Sequence, residues 1–219
     1  MEKGFFKNHF YKLVEIGNAI TLEIDGVRMH QTKNKTPLQD ASDKVRTLGV
    51  TKNSVVLDVC TGLGYSALAS VKAGARKVYT IEKDESVLKI AKQNPASSEL
   101  FSDSRIEIIN KDANEAVLDF QDGFFDFILH DPPRLSFAGE LYSLEFYRQL
   151  HRILKKGGKL FHYTGTPGAA RGKNIPKGVK QRLSEAGFER IIWIEDCLGF
   201  IASKNSVHFK TFPVFKNHK

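Results

Sequence analysis

The stretch that decides the fold is Val55-Val-Leu-Asp-Val-Cys-Thr-Gly-Leu-Gly-Tyr65. An apolar run carries an acid, Asp58, near its end, and a loop with Gly62 and Gly64 follows. An amphipathic segment, 66–72, comes next. This order is typical of a buried strand, a tight glycine turn and a helix, and that arrangement forms nucleotide-cofactor pockets at the ends of parallel strands.

The alternation of strands and helices continues regularly after this loop. Strands are expected near 55–59, 77–82, 105–109, 125–130 and 158–163, and helices near 64–73, 84–93, 112–119 and 139–154. The strand segments are continuous apolar runs, as in parallel strands buried on both faces. Two further runs, Arg190 to Glu195 and Gly199 to Ser203, suit a closing antiparallel pair at the sheet edge.

The N-terminal part has a different pattern. Two alternating runs, 19–24 and 27–31, flank the hairpin dipeptide Asp25-Gly26. A short helix is expected over 40–48, with Gly49 as its stop. We therefore expect an N-terminal β-hairpin and helix extension over 1–50, a cofactor-binding domain over 51–204 and a basic tail over 205–219.

Length and composition fit one large α/β domain with a small extension. The chain has 219 residues, of which 41% are hydrophobic and 26% charged, so a packed core is expected and disorder is not. No apolar run is long enough to span a bilayer, and charges interrupt the first residues, so neither a membrane anchor nor a secretory leader is expected. Cys60 and Cys197 are too few for a disulfide framework and suit a reducing, cytoplasmic compartment.

Positive charge is concentrated in one part of the chain. The net charge is +8, and ten Lys or Arg residues and no acid lie over 146–184. This stretch favours an anionic partner such as RNA, and the alternative is a solvated basic face. Within it, 164–180 combines glycines with Arg171, Lys173 and Lys177. That segment predicts either a mobile lid over an anionic substrate or a flexible surface loop.

Two features of the glycine loop indicate the kind of ligand. Gly62 and Gly64 allow a sharp turn and close approach of backbone to ligand, although Ala67 occupies the third glycine position of the dinucleotide fingerprint. Asp58 would repel a pyrophosphate at this helix N-terminus, so it suits a cationic group such as an amino-acid amine. Alternatively, Asp58 caps the turn.

Acids also follow the next two strands. Glu82 ends the run that starts at Lys77, near the offset of roughly 20 residues expected for an acid that binds ribose hydroxyls. The alternative is an ordinary acid at a strand end. Asp112 follows the strand at 105–109 and could accept a hydrogen bond from the adenine amino group. It could equally cap the helix that follows, and the two roles are compatible.

The fourth motif is Asp131-Pro-Pro-Arg134, after the apolar run 125–130. A buried strand here delivers Asp131 to the carboxyl edge of the sheet, and two prolines fix the backbone. Asp131 could bind an amine or accept a proton. The motif resembles Asp/Asn-Pro-Pro motifs in which a proline carbonyl helps to hold an amino group, and this resemblance implies the same role for the carbonyl of Pro132. Arg134 could stack on a base or pair with a carboxylate or phosphate. Asp131, Pro132 and Arg134 are therefore the candidate catalytic residues.

Two other kinds of chemistry are disfavoured. His130 precedes Asp131, but no metal-ligand set accompanies it, and we expect it to be packed in its strand. A 5-methylpyrimidine mechanism needs a cysteine nucleophile near the strand ends. Cys60 is in the glycine loop, and neither the Asp131 motif nor the segment Thr164-Gly-Thr-Pro contains a cysteine. We therefore expect no metal and no covalent cysteine chemistry.

From about Ser54 to Ser203, these motifs together resemble the class I S-adenosylmethionine-dependent methyltransferases. Asp58 to Gly64 matches the first motif of that family, Glu82 the second, Asp112 the third and Asp131-Pro-Pro the fourth. The segment Leu150-His-Arg-Ile-Leu-Lys-Lys-Gly-Gly-Lys-Leu matches the entry into its fifth strand. The resemblance implies a Rossmann-like α/β fold with a seven-stranded, mostly parallel sheet and an antiparallel last hairpin.

The same resemblance implies S-adenosylmethionine as cofactor. Its methionine amine would lie near Asp58 and Gly62, its ribose at Glu82 and its adenine at Asp112. The cofactor-binding residues expected on this basis are Asp58, Thr61, Gly62, Gly64, Tyr65, Glu82, Lys83, Asp112, Ala113 and Asp131. The Asp-Pro-Pro-Arg motif is similar to that of a predicted archaeal methyltransferase group.

A second resemblance concerns the flanking segments. Leu22-Glu-Ile-Asp-Gly-Val with Gln31, and Leu141 to Leu150, resemble spermidine synthases, which transfer an aminopropyl group from decarboxylated S-adenosylmethionine. The glycine loop here lacks their extra glycines and acid, and their fourth motif lacks Pro-Pro-Arg. Both departures favour methyl transfer. We expect a methyltransferase that acts on a nitrogen of RNA or of another anionic substrate, with a spermidine-synthase-like aminopropyltransferase acting on a polyamine as the alternative.

Overall fold

A computed structural model describes residues 3–6, 9–165 and 174–205 and contains two β-sheets. The strands are β1 (Lys3–Phe6), β2 (His9–Ile16), β3 (Ala19–Ile24), β4 (Val27–Arg28), β5 (Val55–Val59), β6 (Lys77–Ile81), β7 (Ile106–Ile109), β8 (Phe125–His130), β9 (Leu154–Tyr163), β10 (Glu189–Ile194) and β11 (Gly199–Ser203). The helices are α1 (Pro37–Leu48), α2 (Tyr65–Lys72), α3 (Glu85–Ala91), α4 (Ser98–Ser102), α5 (Ala113–Ala116), α6 (Leu144–Ile153) and α7 (Ile175–Glu185).

The central sheet has seven strands in the order β10-β11-β9-β8-β5-β6-β7. Strand β5 lies in the middle and pairs in parallel with β6 and β8, and all five of its residues are buried. Only β11 runs antiparallel to its neighbours, β9 and β10. The expected α/β sheet with an antiparallel last hairpin is confirmed. Continuous apolar runs form its interior strands because helices cover both faces.

The N-terminal sheet has four antiparallel strands in chain order. The turn at Asp25-Gly26 was expected, and both residues have positive φ, of 49° and 79°. The expected hairpin between β3 and β4 is short, however, because β4 has only two residues. The main partner of β3 is β2, which was not predicted, paired from Tyr11↔Ile24 to Ile16↔Ala19.

Helix α1 begins at Pro37, before the expected start at 40. The side chain of Thr36 accepts a hydrogen bond from the backbone N–H of Gln39, and the Gln39 side chain accepts one from the Thr36 N–H. This reciprocal capping box, with proline at the first helical position, fixes the start of the helix. Gly49 ends it in the left-handed conformation, with φ of 80°.

Two segments differ from the expected pattern near the C-terminal half of the sheet. The chain passes directly from α6 into β9, which begins at Leu154 rather than near 158. The expected lid over 164–180 is helical from Ile175, where Asn174 caps α7. Residues 166–173 of that segment, including Arg171 and Lys173, and the tail over 206–219 lie outside the described residues. In the part of the chain that the structure describes, no helix is long and apolar enough to cross a membrane.

The N-terminal sheet packs over the carboxyl ends of the central strands. Tyr11 and Leu22 join Leu63 and Tyr65 of the glycine loop region in one buried cluster. The Tyr65 hydroxyl also donates to the Ile20 carbonyl at 2.7 Å. The extension is therefore attached to the edge of the sheet where α/β proteins bind ligands.

Candidate functional site

A cleft lies between the carboxyl edge of the central sheet and the N-terminal sheet. The glycine loop, the end of β6, the segment after β8, the N-terminal sheet and α1 all contribute to it. The lining residues are His9, Tyr11, Leu22, Ile24, Asp25, Met29, His30, Pro37, Asp40, Ala41, Cys60, Thr61, Gly62, Tyr65, Ser66, Glu82, Lys83, Asp84, Val87, Asp131, Pro133, Phe137 and Ala138. Elements far apart in sequence thus form one shared site.

The two glycines of the loop have different roles. Both have positive φ, 54° at Gly62 and 79° at Gly64. A Cβ built at Gly62 would meet nothing within 4 Å, so the backbone there is open to a ligand. A Cβ at Gly64 would lie 2.5 Å from Leu100 Cδ2, so this glycine allows the helix α2 to pack.

Glu82 lies where the sequence placed it, on the lining of the cleft. Its carboxylate accepts hydrogen bonds from the backbone N–H of Gly62 at 3.1 Å and of Asp84 at 3.0 Å. Burial raises the pKa of Glu82, and these two hydrogen bonds oppose that shift. The carboxylate is held rigidly beside the glycine loop, in position to accept hydrogen bonds from a ligand's hydroxyls.

Asp58 differs from the expectation. Its side chain is fully buried and is not among the lining residues. Ser66 Oγ donates to Asp58 Oδ1 and Thr80 Oγ1 donates to Oδ2, both at 2.7 Å. Burial raises the pKa of Asp58 to about 7, while the two hydroxyl hydrogen bonds lower it. Asp58 therefore braces the strand beneath the loop through both of its oxygens, in keeping with the alternative of an acid that caps the turn. Its expected contact with a ligand amine stays a prediction.

The other expected cofactor residues divide into two groups. Thr61, Tyr65 and Lys83 line the cleft, whereas Asp112 and Ala113 are not among the lining residues of the described chain. Asp112 Oδ1 accepts from the backbone N–H of Asn114 at 2.9 Å and so caps α5. Its Oδ2 lies 4.0 Å from Lys83 Nζ, which places Asp112 just beyond the cleft rim.

Asp131 forms an ion pair with a lysine that was not predicted as a site residue. Lys44 Nζ, on α1, lies 2.6 Å from Asp131 Oδ2 and 2.7 Å from Asp40 Oδ2. Only 3% of Lys44 is exposed, and its Nζ also lies 4.3 Å from the centre of the Tyr163 ring. Burial alone would lower the pKa of Lys44, but the carboxylates of Asp131 and Asp40 outweigh it and raise that pKa. The lysine is therefore charged.

The remaining candidate catalytic residues lie away from the lining. Pro132 is buried and Arg134 is exposed, and the lining of the described part of the chain includes neither. The Arg134 carbonyl instead closes a turn, accepting from Phe137 N–H at 2.7 Å. That turn brings Phe137 and Pro133 to the cleft. The expected contacts of Pro132 and Arg134 with a substrate are not supported by this placement.

Two of the histidines near the site, His30 and His130, have lowered pKa values. His130 is fully buried, and its Nε2 is 3.0 Å from the Leu141 carbonyl, as expected for a packed strand residue. Burial lowers the pKa of His130, and that of His30 on the cleft, to about 4, so both are neutral. The residues that the structure describes contain no group of three or more metal-ligating side chains.

The basic stretch over 146–184 is partly used inside the fold. Arg152 donates to the carbonyls of Phe120 and Val117, and Arg182 donates to the Tyr142 carbonyl. Lys155 Nζ lies 2.6 Å from Asp126 Oδ1. These cations stabilise the packing of α6, α7 and β9, and they contribute less to an anion-binding surface than the sequence suggested.

Comparison with known proteins agrees with this architecture. The model of a methyltransferase domain family matches residues 56–158. An uncharacterized protein of Methanocaldococcus jannaschii is 48% identical over 198 residues, covering 90% of this chain and 68% of its own length. The chain belongs to the same family as this protein and contains a methyltransferase domain. That domain implies S-adenosylmethionine as the cofactor.

This methyltransferase is also similar to enzymes of polyamine synthesis. A polyamine aminopropyltransferase of Prochlorococcus marinus is 31% identical over 82% of this chain and 62% of its own length. The structure of Thermotoga maritima spermidine synthase superposes with a TM-score of 0.72 at 22% identity, covering 94% of this chain and 72% of the other. The structure of a Methanococcus maripaludis protein described as an S-adenosylmethionine-dependent methyltransferase superposes with a TM-score of 0.58 at 22% identity. The match covers 79% of this chain and 88% of the other. The fold is shared by both groups.

The cleft of this methyltransferase fits S-adenosylmethionine. Glu82 would offer a fixed carboxylate to ribose hydroxyls, and the open face of Gly62 leaves space beside it. Asp40 and Lys44, on the opposite wall, were not predicted. Their spacing of four residues on one helix was the available signal, since such a pair lies on one face.

Proposed function

We propose that this methyltransferase transfers a methyl group to a nitrogen nucleophile held at Asp131. The observation that carries the proposal is that Asp131 lines the same cleft as Glu82 and Gly62. An acceptor bound at one carboxylate and a cofactor bound at the other would then share one enclosed space. Proximity and orientation supply most of the catalysis that a reaction with an activated electrophile needs.

The side chains around Asp131 suit this role. S-adenosylmethionine supplies an electrophilic methyl group on its sulfonium. During transfer an acceptor nitrogen would form the new N–C bond as the S–C bond breaks, and Asp131 would take up the proton that the nitrogen releases. Lys44 fixes Asp131 Oδ2 through its ion pair, so the other carboxylate oxygen is left to face the acceptor.

We also propose that the acceptor nitrogen belongs to RNA or to another anionic molecule. The net charge of +8 supports it. The internal contacts of Arg152, Lys155 and Arg182 weaken that support, because they draw on the same basic stretch. The partner could instead be a protein, since a structurally similar methyltransferase of Haloferax volcanii is described in complex with the activator Trm112.

The test is transfer of labelled methyl groups into fractionated RNA, protein and small-molecule pools. The wild-type protein is expected to label one pool. Asp131→Asn should keep its affinity for S-adenosylhomocysteine and lose labelling by roughly 100-fold, as for a lost general base. Asp119→Asn, which alters an exposed carboxylate paired with Lys111, is the control. Full labelling by Asp131→Asn would overturn the role of Asp131.

A second candidate is aminopropyl transfer to a polyamine. The likeness to aminopropyltransferases supports it, because it extends over the N-terminal sheet. Calorimetry with S-adenosylmethionine and with its decarboxylated form separates the candidates. The methyltransferase proposal predicts tighter binding of S-adenosylmethionine, and a preference for the decarboxylated form would favour aminopropyl transfer.

The organisation of the whole chain is likewise a proposal. The division into 1–50, 51–204 and 205–219 is supported by the two separate sheets, with the tail from 206 outside the described residues. A cytoplasmic location is supported by Cys60 and Cys197, which are both free. Limited proteolysis near residue 50 tests the division, because a connector between compact units is cut first.

A further inference from the structure

The wall of the cleft formed by the N-terminal extension has a carboxylate with an unused oxygen. Asp40, on α1, lines the cleft, yet only 2% of it is exposed. Its Oδ2 is paired with Lys44 at 2.7 Å, whereas its buried Oδ1 has no hydrogen-bond partner. Lys35 Nζ lies 3.9 Å from Oδ1, which is beyond hydrogen-bond distance. A buried acceptor without a donor indicates a missing partner.

The charges along the cleft indicate what that partner is. Five acids line it: Asp25, Asp40, Glu82, Asp84 and Asp131. Lys83 is the one lysine among the lining residues that the structure describes, and Lys44 lies behind the wall. Burial raises the pKa of Asp40, and the charge of Lys44 opposes that shift. When Asp40 and Asp131 are both ionised, the single cation of Lys44 leaves one negative charge among the three groups. The acidic excess disfavours an anion and favours a cation.

Aromatic side chains accompany these acids. Tyr11 and Phe137 line the cleft, and 55% of Phe137 is exposed, which is unusual for a large apolar side chain. Carboxylates combined with aromatic faces are the groups that recognise ammonium ions. The orphaned oxygen of Asp40 is an acceptor, as a ligand with N–H donors requires.

We propose that Asp40 is a specificity-determining residue that binds the ammonium group of a small cationic amine, whose second nitrogen lies at Asp131. The inference rests on the proposed function, and it replaces an anionic acceptor by a cationic one. Lys44 sets the charge of the wall: it neutralises one of the two carboxylates and leaves the other for the substrate. The N-terminal extension thereby selects the acceptor, while the central sheet binds the cofactor.

The test uses the full chain saturated with S-adenosylhomocysteine and three probes of equal length. Calorimetry measures binding of 1,5-diaminopentane, 1,5-pentanediol and glutarate, and a short RNA hairpin is the fourth probe. Only the diamine is expected to bind. Asp40→Asn should weaken diamine binding by about tenfold or more, since a close charge pair is lost, and leave the affinity for S-adenosylhomocysteine unchanged. Asp43→Asn, on the same helix but paired with Arg46 and Lys35, is the matched control.

Several outcomes would overturn the inference. Binding of glutarate or RNA in place of the diamine contradicts it, and so does equal diamine affinity in wild type and Asp40→Asn. The comparison of the four probes on the wild-type protein needs no variant, so the inference stays testable if Asp40→Asn folds poorly. Loss of S-adenosylhomocysteine binding by the wild type would contradict the proposed function, whereas normal cofactor binding without diamine binding would contradict this inference alone.

Discussion

Lys44 Nζ lies 2.6 Å from Asp131 Oδ2 and joins the helix of the N-terminal extension to the tip of strand β8, 87 positions away. The same ammonium group pairs with Asp40, so one buried cation holds two carboxylates that face the cleft. The extension is therefore part of the site, and contacts of this kind link the stability of the fold to the geometry of the candidate catalytic acid.

Lys44→Met is expected to lower the free energy of unfolding by about 3–5 kcal/mol, because it leaves the buried carboxylate of Asp40 and the partly buried one of Asp131 without their cation. Urea unfolding measures the change. Lys89→Met removes an exposed lysine paired with Glu85 and should cost less than about 1 kcal/mol. Adding Asp40→Asn and Asp131→Asn to Lys44→Met should recover part of the loss. Equal stability of the two methionine variants would contradict the role of Lys44.

Glu82→Gln should weaken binding of S-adenosylhomocysteine by roughly 10- to 100-fold. The carboxylate is expected to accept charge-assisted hydrogen bonds from the ribose, worth about 1.5–3 kcal/mol. Isothermal calorimetry measures the affinity. Glu107→Gln alters a half-exposed acid on β7 that pairs with Lys77, and it should bind like the wild type. An affinity in Glu82→Gln within twofold of the wild type would remove Glu82 from the cofactor site.

Asp58 should make stability depend on pH. Its pKa is raised from 3.8 to about 7, so between these values the folded protein holds a proton that the unfolded chain releases. The stabilisation is complete below pH 3.8 and is lost as the pH rises through 7. The stability of the wild type relative to Asp58→Asn should therefore fall by roughly 2–3 kcal/mol between pH 5 and pH 7.5. Urea unfolding at the two pH values tests this, and a relative stability that rises with pH would refute it.

Gly64→Ala should be more destabilising than Gly26→Ala, although both glycines have φ of 79°. Each alanine carries the cost of the left-handed conformation, about 1–2 kcal/mol. Alanine at Gly64 also overlaps the buried Leu100, which adds about 1–3 kcal/mol, whereas Gly26 has open space. Thermal unfolding compares the two, and similar melting temperatures would show that the loop can shift away from Leu100.

Sequence patterns predicted the central sheet well because its signals are local. Each parallel strand is a short apolar run, and the glycine loop and Asp131 follow such runs directly. The N-terminal sheet was predicted less completely. In β2 the buried residues are Tyr11 and Leu13, which alternate with partly exposed neighbours such as Lys12, and this weak pattern was passed over.

The candidate site was only partly predictable, since its contacts are distant in sequence. Glu82 follows a strand at a known offset, and its expected place on the lining of the cleft agrees with the structure, while its contact with a ribose stays a prediction. The ion pair of Lys44 with Asp131 depends on how α1 packs, which no local pattern reveals. Asp58 was assigned to a ligand because its position was known but its partners were not. Ser66 and Thr80 occupy both of its oxygens, and only the folded structure shows this.

The most direct test of the central claim is a crystal structure of the protein with S-adenosylhomocysteine. The account predicts that both ribose hydroxyls bind Glu82 and that the sulfur lies in the cleft facing Asp131. A ligand bound outside this cleft, or one whose ribose lies away from Glu82 and whose sulfur faces away from Asp131, would contradict it.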